Sequence, residues 1–230
     1  MNEKVAMETK IEEWSGLLKK GLYGFLFLLI LGAAFLAFQR WKNDRDERAF
    51  ALLFEAEKME RDLAEEPTYA TPGTPQFYEK VAAWDESKKT AYTDQLKKVL
   101  QTFPQSLAAD LARLRLGTVY FNSKKLDEAK NTFSEVVEKG SSSIVKFQAL
   151  EALASVYEDE SNWDKASESH DKALALKNVE ALKAVAELGK ARVLKKQGKG
   201  DEARKILSEV IRDYPNTYYE KLARASSAVE

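Results

Sequence analysis

Three stretches of this chain repeat one another at a fixed interval. Leu126-Asp127-Glu128-Ala129-Lys130-Asn131-Thr132-Phe133 is followed 37 residues later by Trp163-Asp164-Lys165-Ala166-Ser167-Glu168-Ser169-His170, and after another 37 by Gly200-Asp201-Glu202-Ala203-Arg204-Lys205-Ile206-Leu207. Each copy has an Asp near its start, an Ala two residues on, and a larger side chain four residues after that (Phe133, His170, Leu207). The Asp is expected to cap the first-turn N–H groups of a helix. The Ala and the larger residue lie one turn apart on one helix face. A repeat of this length cannot bury its apolar face alone, so successive copies must stack into a helical array.

The period reaches further in both directions. Phe103-Pro104-Gln105-Ser106 matches Tyr214-Pro215-Asn216-Thr217, and Leu111-Ala112-Arg113 matches Leu222-Ala223-Arg224, each pair 111 residues apart, or three periods. The expected helix pairs are 106–122 with 127–139, 144–159 with 164–176, and 180–197 with 201–213, so the repeats span 106–139, 144–176 and 180–213. A last helix over 217–228 would cover the open end. Gly140-Ser141-Ser142-Ser143 and Gly198-Lys199-Gly200 read as turns. Upstream, a helix from Thr90 to Phe103 ends before Pro104. Shifted by 37, its Leu96 falls on Phe133 and its Val99 on Val136, so it is the second helix of a degenerate first repeat. The first helix of that repeat is either Phe50–Leu63, on a stripe of Ala49, Phe50, Leu53, Phe54, Ala56 and Leu63, or a short Phe77–Trp84 helix opened by Thr74-Pro75. The former is favoured, with the segment 65–75, rich in Pro67, Pro72 and Pro75, inserted after it.

One segment has no place in a wet helical array. Gly21 to Phe38 contains no charge and holds six Leu, one Ile and four Phe. As a helix it would be about 27 Å long, near the thickness of a hydrocarbon core, and those side chains favour insertion by about 3–6 kcal/mol. Trp14 and Trp41 stand near its ends. No small-x-small cleavage site follows, which favours an uncleaved anchor over a signal peptide. The domains expected are a tail over 1–20, a single transmembrane helix over 21–40 and a repeat domain over 41–230, with residues 21–38 meeting the bilayer. The tail's Ile11, Trp14, Leu17 and Leu18 either lie on the membrane surface or form the first turns of the same helix. Nothing breaks a helix between Arg40 and Glu66, so the anchor is expected to run on past Asn43–Asp46. Lys10, Lys19 and Lys20 on one side nearly balance Arg40, Lys42, Arg45 and Arg48 on the other, so charge does not set the orientation.

Within the repeats, Leu116-Gly117-x-x-Tyr120 with Ala129, Phe133 and Val136, then Leu153-Ala154-x-x-Tyr157 with Ala166 and Ala173, and more weakly Ala191, Leu194, Ala203, Leu207 and Pro215, resemble tetratricopeptide repeats. The resemblance implies a solenoid of helix pairs with a concave binding face, so the fold expected is all-α, with the N-terminal transmembrane helix read from the apolar run followed by that solenoid. Gly117 and Ala154 would then be small so that two helices can approach. The full plan, a short charged tail, one anchor, Trp41 and about 190 residues of degenerate repeats, is similar to the ancillary subunit family of the bacterial Sec translocon. That resemblance implies an inner-membrane protein with its repeats in the periplasm, and as partners translocon subunits, periplasmic chaperones or client chains. A structural or assembly subunit of another envelope complex, for secretion or division, is the alternative.

Chemistry is scarce. There is one histidine, His170, and no cysteine, so the usual zinc and copper sets cannot be assembled. His170 takes the place of Phe133 and is expected to be a packing residue. The acidic run Glu158-Asp159-Glu160 with Asp164 lacks the glycine and spacing of a calcium loop. A net charge of −1 gives no field for nucleic acid. No cofactor and no enzymatic residue set are expected. The Lys and Asn clamp by which some tetratricopeptide domains hold a chain-terminal carboxylate is missing: Leu114, Thr118, Glu151 and Ser155 occupy the matching positions. The residues expected to face the groove are Leu111, Leu114, Thr118, Phe121 and Asn122 on one first helix, Gln148, Glu151, Ser155 and Glu158 on the next, and Arg192, Lys195 and Lys196 on the third. A helix or extended segment of a partner protein would lie there. Oligomeric state is not legible, and Ala33 with Ala37 is a small-x-x-x-small pair of the kind found at helix contacts.

Overall fold

The computed structural model describes residues 2–63 and 86–228, and within the first helix the side chains at 25 and at 27–61, so that the expected stripe residue Leu63 lies outside them. The expected stripe of Ile11, Trp14, Leu17 and Leu18, the proline-rich segment 65–75 and the helix Phe77–Trp84 lie outside the described residues or side chains. Among the described residues there are nine α-helices, one short 3-10 helix and no strand. The chain divides into a unit Met1–Arg48 and a unit Ala49–Glu230. The boundary falls inside helix α1 (Asn2–Leu63), which runs through 43–46 without a break.

In the first unit, Phe25, Phe27, Leu28, Leu29, Ile30, Leu31, Phe35, Leu36 and Phe38 are all exposed. Successive residues are about 100° apart on a helix, so this apolar surface runs all the way round. Among the described residues no helix is long and apolar enough to cross a membrane. Positions 21–24 and 26 of the expected span lie outside the described side chains.

The second unit is an all-α repeat solenoid of the tetratricopeptide type. Its first layer uses the end of α1: Ala49, Leu53 and Ala56 are buried with Tyr92, Leu96 and Val99 of α2 (Glu86–Thr102) and with Ala108, Ala112 and Leu116 of α3 (Leu107–Asn122). Phe50 and Phe54, expected on that stripe, are exposed instead. They stand roughly 100–140° round the helix from Ala49, and the Arg61 guanidinium lies 4.7 Å over the Phe54 ring.

Helix pairs then follow: α3 with α4 (Leu126–Lys139), α5 (Ser143–Asp159) with α6 (Trp163–Leu174), and α7 (Lys183–Lys196) with α8 (Gly200–Asp213). A final helix α9 (Tyr218–Ala228) buries Ala223 against Leu207 and Val210. The repeated positions have repeated burial. Ala129, Ala166 and Ala203 are fully buried, and Phe133, His170 and Leu207 are nearly so. Fully burying a Phe or Leu side chain such as Phe133 or Leu207 stabilises the fold by about 1.5–3 kcal/mol.

The turns inside the three pairs also share one geometry. Lys124, Ser161 and Gly198, each 37 residues from the next, all have positive φ (58°, 55° and 75°). In each the next amide reaches back five residues: Lys125 N to Tyr120 O, Asn162 N to Tyr157 O and Lys199 N to Leu194 O. This is a Schellman-type helix end, and only the third copy has the glycine that suits it best.

Two expectations about helix starts are corrected. Asp127, Asp164 and Asp201 are not caps, because their helices begin one residue before them. They sit inside the first turn, where a negative charge complements the helix dipole. Asp127 pairs with Lys130, and Asp164 accepts from Gln197 Nε2 at 2.7 Å. The side-chain caps are Asn162 on α6, Ser106 on α3 and Thr217 on α9. Helix α7 begins at Lys183 rather than 180, because Asn178 turns with φ 59° and a 3-10 helix, Glu180–Leu182, intervenes. The body of α7 nevertheless keeps the 37-residue register: Ala112, Ala149 and Ala186 are all buried, and so are Val119, Val156 and Val193.

Candidate functional site

The first helices of the three pairs, α3, α5 and α7, line a cavity of about 360 Å³. From α3 come Leu114, Arg115 and Thr118; from α5, Phe147, Gln148, Glu151, Ala152 and Ser155. Leu182, Val185, Gly189 and Arg192 form the third wall, with Phe133 of α4 and His170 of α6 underneath. Residues at i, i+3, i+7 and i+10 share one helix face, which is why α7 offers 182, 185, 189 and 192.

Six of the nine residues singled out as partner-binding stand on this cavity: Leu114, Thr118, Gln148, Glu151, Ser155 and Arg192. Three do not. Phe121 is half-buried against the cluster of Ala129, Phe133, Leu153 and Val156, with Lys124 Nζ 5.8 Å from its ring. Asn122 is the last residue of α3, one turn beyond Thr118. Lys195 donates to the Ser226 carbonyl of α9, and it stands two periods after Phe121, at a repeat position that is off the cavity there too. Of the others expected on the groove, Leu111 is half-buried in the core, Glu158 joins the network below, and Lys196 is exposed.

Two small residues let the second helices approach the first. A Cβ on Gly117 would lie 2.5 Å from Phe133 Cε1, and one on Gly189 would lie 2.4 Å from His170 Cε1. Phe133 reaches back to the first helix of its own pair, whereas His170 reaches forward to the next pair.

His170 is a packing residue as expected, only 1% exposed, but it is also polar-bonded. Its Nδ1 lies 2.8 Å from Glu151 Oε1, and its Nε2 lies 3.8 Å from Glu158 Oε1. Glu158 in turn receives Arg192 at two points, Nε at 3.0 Å and Nη2 at 2.7 Å, the bidentate geometry that favours Arg over Lys. One network therefore ties α5, α6 and α7 together. Burial pulls the His170 pKa down, but the two carboxylates outweigh it and hold the net value above that of an ordinary histidine. Burial pushes Glu158 up, but His170 and Arg192 overcome it and hold it at about 2. Bonding to Glu158 raises Arg192.

Sequence reasoning missed three parts of this. Arg115 borders the cavity and pairs with Glu57 of α1 through Nη2 at 2.7 Å. Gly189 and Val185 belong to the third wall. Val185 stands 37 residues after Gln148, and Gly189 stands 37 after Ala152, so the fixed shift pointed to both, and Gly189 inside an otherwise helical pattern was a further signal of close approach.

The acids of the run after α5 are each taken by a separate partner: Glu158 by Arg192, Asp159 by Lys124 at 2.9 Å and Glu160 by Lys130 at 2.6 Å. Among the described residues no three His, Asp or Glu side chains come together as metal ligands would. What the cavity offers is shape, an apolar lining and a few polar groups, the make-up of a binding site.

Residues 19–174 match the tetratricopeptide repeat-like domain family, and residues 186–217 match the tetratricopeptide repeat. No curated protein sequence matches. Among solved structures, a crystal structure of nearly identical TPR-like repeats from a Podosopora anserina protein described as a kinesin light chain is similar over 82% of this chain and 97% of that one. Their identity is 14% and the TM-score 0.46.

Proposed function

Because the chain belongs to the tetratricopeptide repeat-like domain family, we propose that it is a membrane-tethered protein-interaction scaffold, an accessory to the Sec translocon that meets periplasmic chaperones or client chains in protein export. The observation that carries the binding part is the cavity itself. Three successive first helices contribute to it, and apolar side chains there stand beside convergent polar groups. The all-round apolar exposure of Phe25 to Phe38 supports a tether, since a helix apolar on every side needs lipid or protein around it. A tether of this kind acts by raising the local concentration of a partner at the membrane. The inner membrane as location, with the repeats on the periplasmic side, rests on the likeness in plan.

A photo-crosslinking residue at Ser155, used in cells, tests the partner. Adducts with translocon subunits or periplasmic chaperones are expected, and adducts only with other envelope machinery would replace the export reading by the assembly one. A reporter fused after residue 230 tests the side of the membrane. A cytoplasmic signal removes the export reading. Release of the full chain from membranes by alkaline carbonate would remove the tether.

A further inference from the structure

The cavity is short of acceptors. Arg115 Nε and Nη1 are buried with no hydrogen-bond partner among the described residues, and buried His170 Nε2 has no hydrogen bond there either, its nearest carboxylate being Glu158 at 3.8 Å. Arg192 spends Nε and Nη2 on Glu158, which leaves Nη1 over, and its side chain is 57% exposed. The only acid lining the same space is Glu151, one of whose oxygens is already held by His170. Buried polar groups in folded proteins are paired as a rule, so a cluster of orphaned donors calls for an acceptor. Beside them lies an apolar slot made by Leu114, Phe147 and Val185. Exposed Leu107 and Ile144, each in the first turn of its helix, extend the apolar surface towards the N-terminal ends of α3 and α5.

We propose that this groove receives an acidic, amphipathic segment of a partner protein. An apolar side chain of the segment enters the slot, and a nearby internal Asp or Glu carboxylate is held by Arg192, with Arg115 across the cavity and His170 beneath supplying positive charge. The inference rests on the groove being the docking site and adds what docks there. Charge-assisted hydrogen bonds to a carboxylate are the strong kind, and the low dielectric of a filled cavity strengthens them further.

The proton on His170 is coupled to this event. The charged groups facing it are Glu151 and Glu158 from α5 and Arg192 from α7, with Arg115 across the cavity on α3. With His170 protonated, its charge and those of Arg192 and Arg115 balance the carboxylates of Glu151, Glu158 and Glu57, the last paired to Arg115. Without its proton the network is left with an excess of carboxylate, and an incoming acid is repelled. Binding of the acidic segment therefore weakens as pH rises through the His170 titration, and by linkage the bound acid raises that titration midpoint.

The test uses three synthetic peptides and the labelled full chain in detergent micelles. The peptides are acetyl-Ala-Leu-Ala-Glu-Ala-Leu-Ala-Glu-Ala-amide and its counterparts with Gln or Lys in place of Glu, titrated to millimolar concentration. The readout is the imidazole resonance of His170, the only histidine in the chain. The Glu peptide is expected to bind at least about tenfold more tightly than the Lys peptide and to move the His170 midpoint upward. Arg192→Gln should weaken the Glu peptide by about tenfold. His170→Phe, read by peptide fluorescence anisotropy, should abolish the pH dependence. It decides the matter alone if Arg192→Gln fails to fold, since Phe133 fills the same repeat position against Gly117. Equal binding of all three peptides overturns the acidic-segment proposal and leaves the groove as a docking site. No binding by any of them overturns both.

Discussion

Replacing Gly117 by alanine sets two effects of opposite sign against each other. In an open helix the change would stabilise the protein by about 0.8–1 kcal/mol, since alanine is the better helix former. Here the new Cβ would fall 2.5, 2.7 and 2.8 Å from three atoms of the Phe133 ring. That ring is 1% exposed and packed with Ala129, Leu153 and Val156, so it has nowhere to swing. Overpacking of this kind costs about 1–3 kcal/mol. The difference predicts a net destabilisation of up to about 2 kcal/mol. Urea unfolding of the full chain in mild detergent, followed by circular dichroism, measures it as a lower midpoint. Phe133→Leu removes the ring edge that clashes, so the double variant should be more stable than the sum of the two single changes. A Gly117→Ala protein more stable than wild type, or strictly additive changes, would refute the idea that this glycine exists for helix approach.

Stability should fall on both sides of a mid-pH plateau. His170, raised by its carboxylates, contributes fully below its ordinary value of 6.5, and that contribution is lost as pH rises through the higher folded value. Glu158, held at about 2, contributes above 4.5 and loses it as pH falls towards about 2. Urea midpoints across pH should show both limbs; His170→Phe should remove the alkaline one, and Glu158→Gln should shrink the acid one. Ala129→Leu or Ala166→Leu, at fully buried positions, should cost about 1–3 kcal/mol by overpacking in the same assay. Ser161→Gly, at a turn with φ 55°, should be neutral to stabilising by up to about 1 kcal/mol, since relief of the left-handed backbone outweighs the entropy glycine adds to the unfolded chain. A loss of more than that would mean the turn is held by its side chain.

The repeat was legible because burial follows period. Ala129, Ala166 and Ala203 are small for one reason, contact between the helices of a pair, and that reason recurs every 37 residues. The turns were less legible, since Lys124 and Ser161 hold the conformation that only Gly198 announces. The Asp residues stand two positions past the caps at 125, 162 and 199, because an acid in the first turn satisfies the helix dipole as well as a cap satisfies its N–H groups. Most of the groove was visible as a stripe on two first helices. On the third, Val185 and Gly189 stand one period after Gln148 and Ala152, and Lys195 shares with Phe121 and Glu158 a repeat position that lies off the cavity. A contact such as Asp110 with Ser141 N at 2.9 Å joins residues with no spacing rule between them, and no pattern in the chain could have disclosed it.

The most direct measurement compares faces. Photo-crosslinkers at Gln148 and Ser155 on the groove, and at exposed Glu128 and Lys172 on the second helices, are placed in otherwise identical full-length chains in cells. The same partner band from both groove positions and from neither second-helix position is the predicted result. Adducts from Glu128 or Lys172 with none from Gln148 and Ser155 would contradict it and move the binding face to the other side of the solenoid.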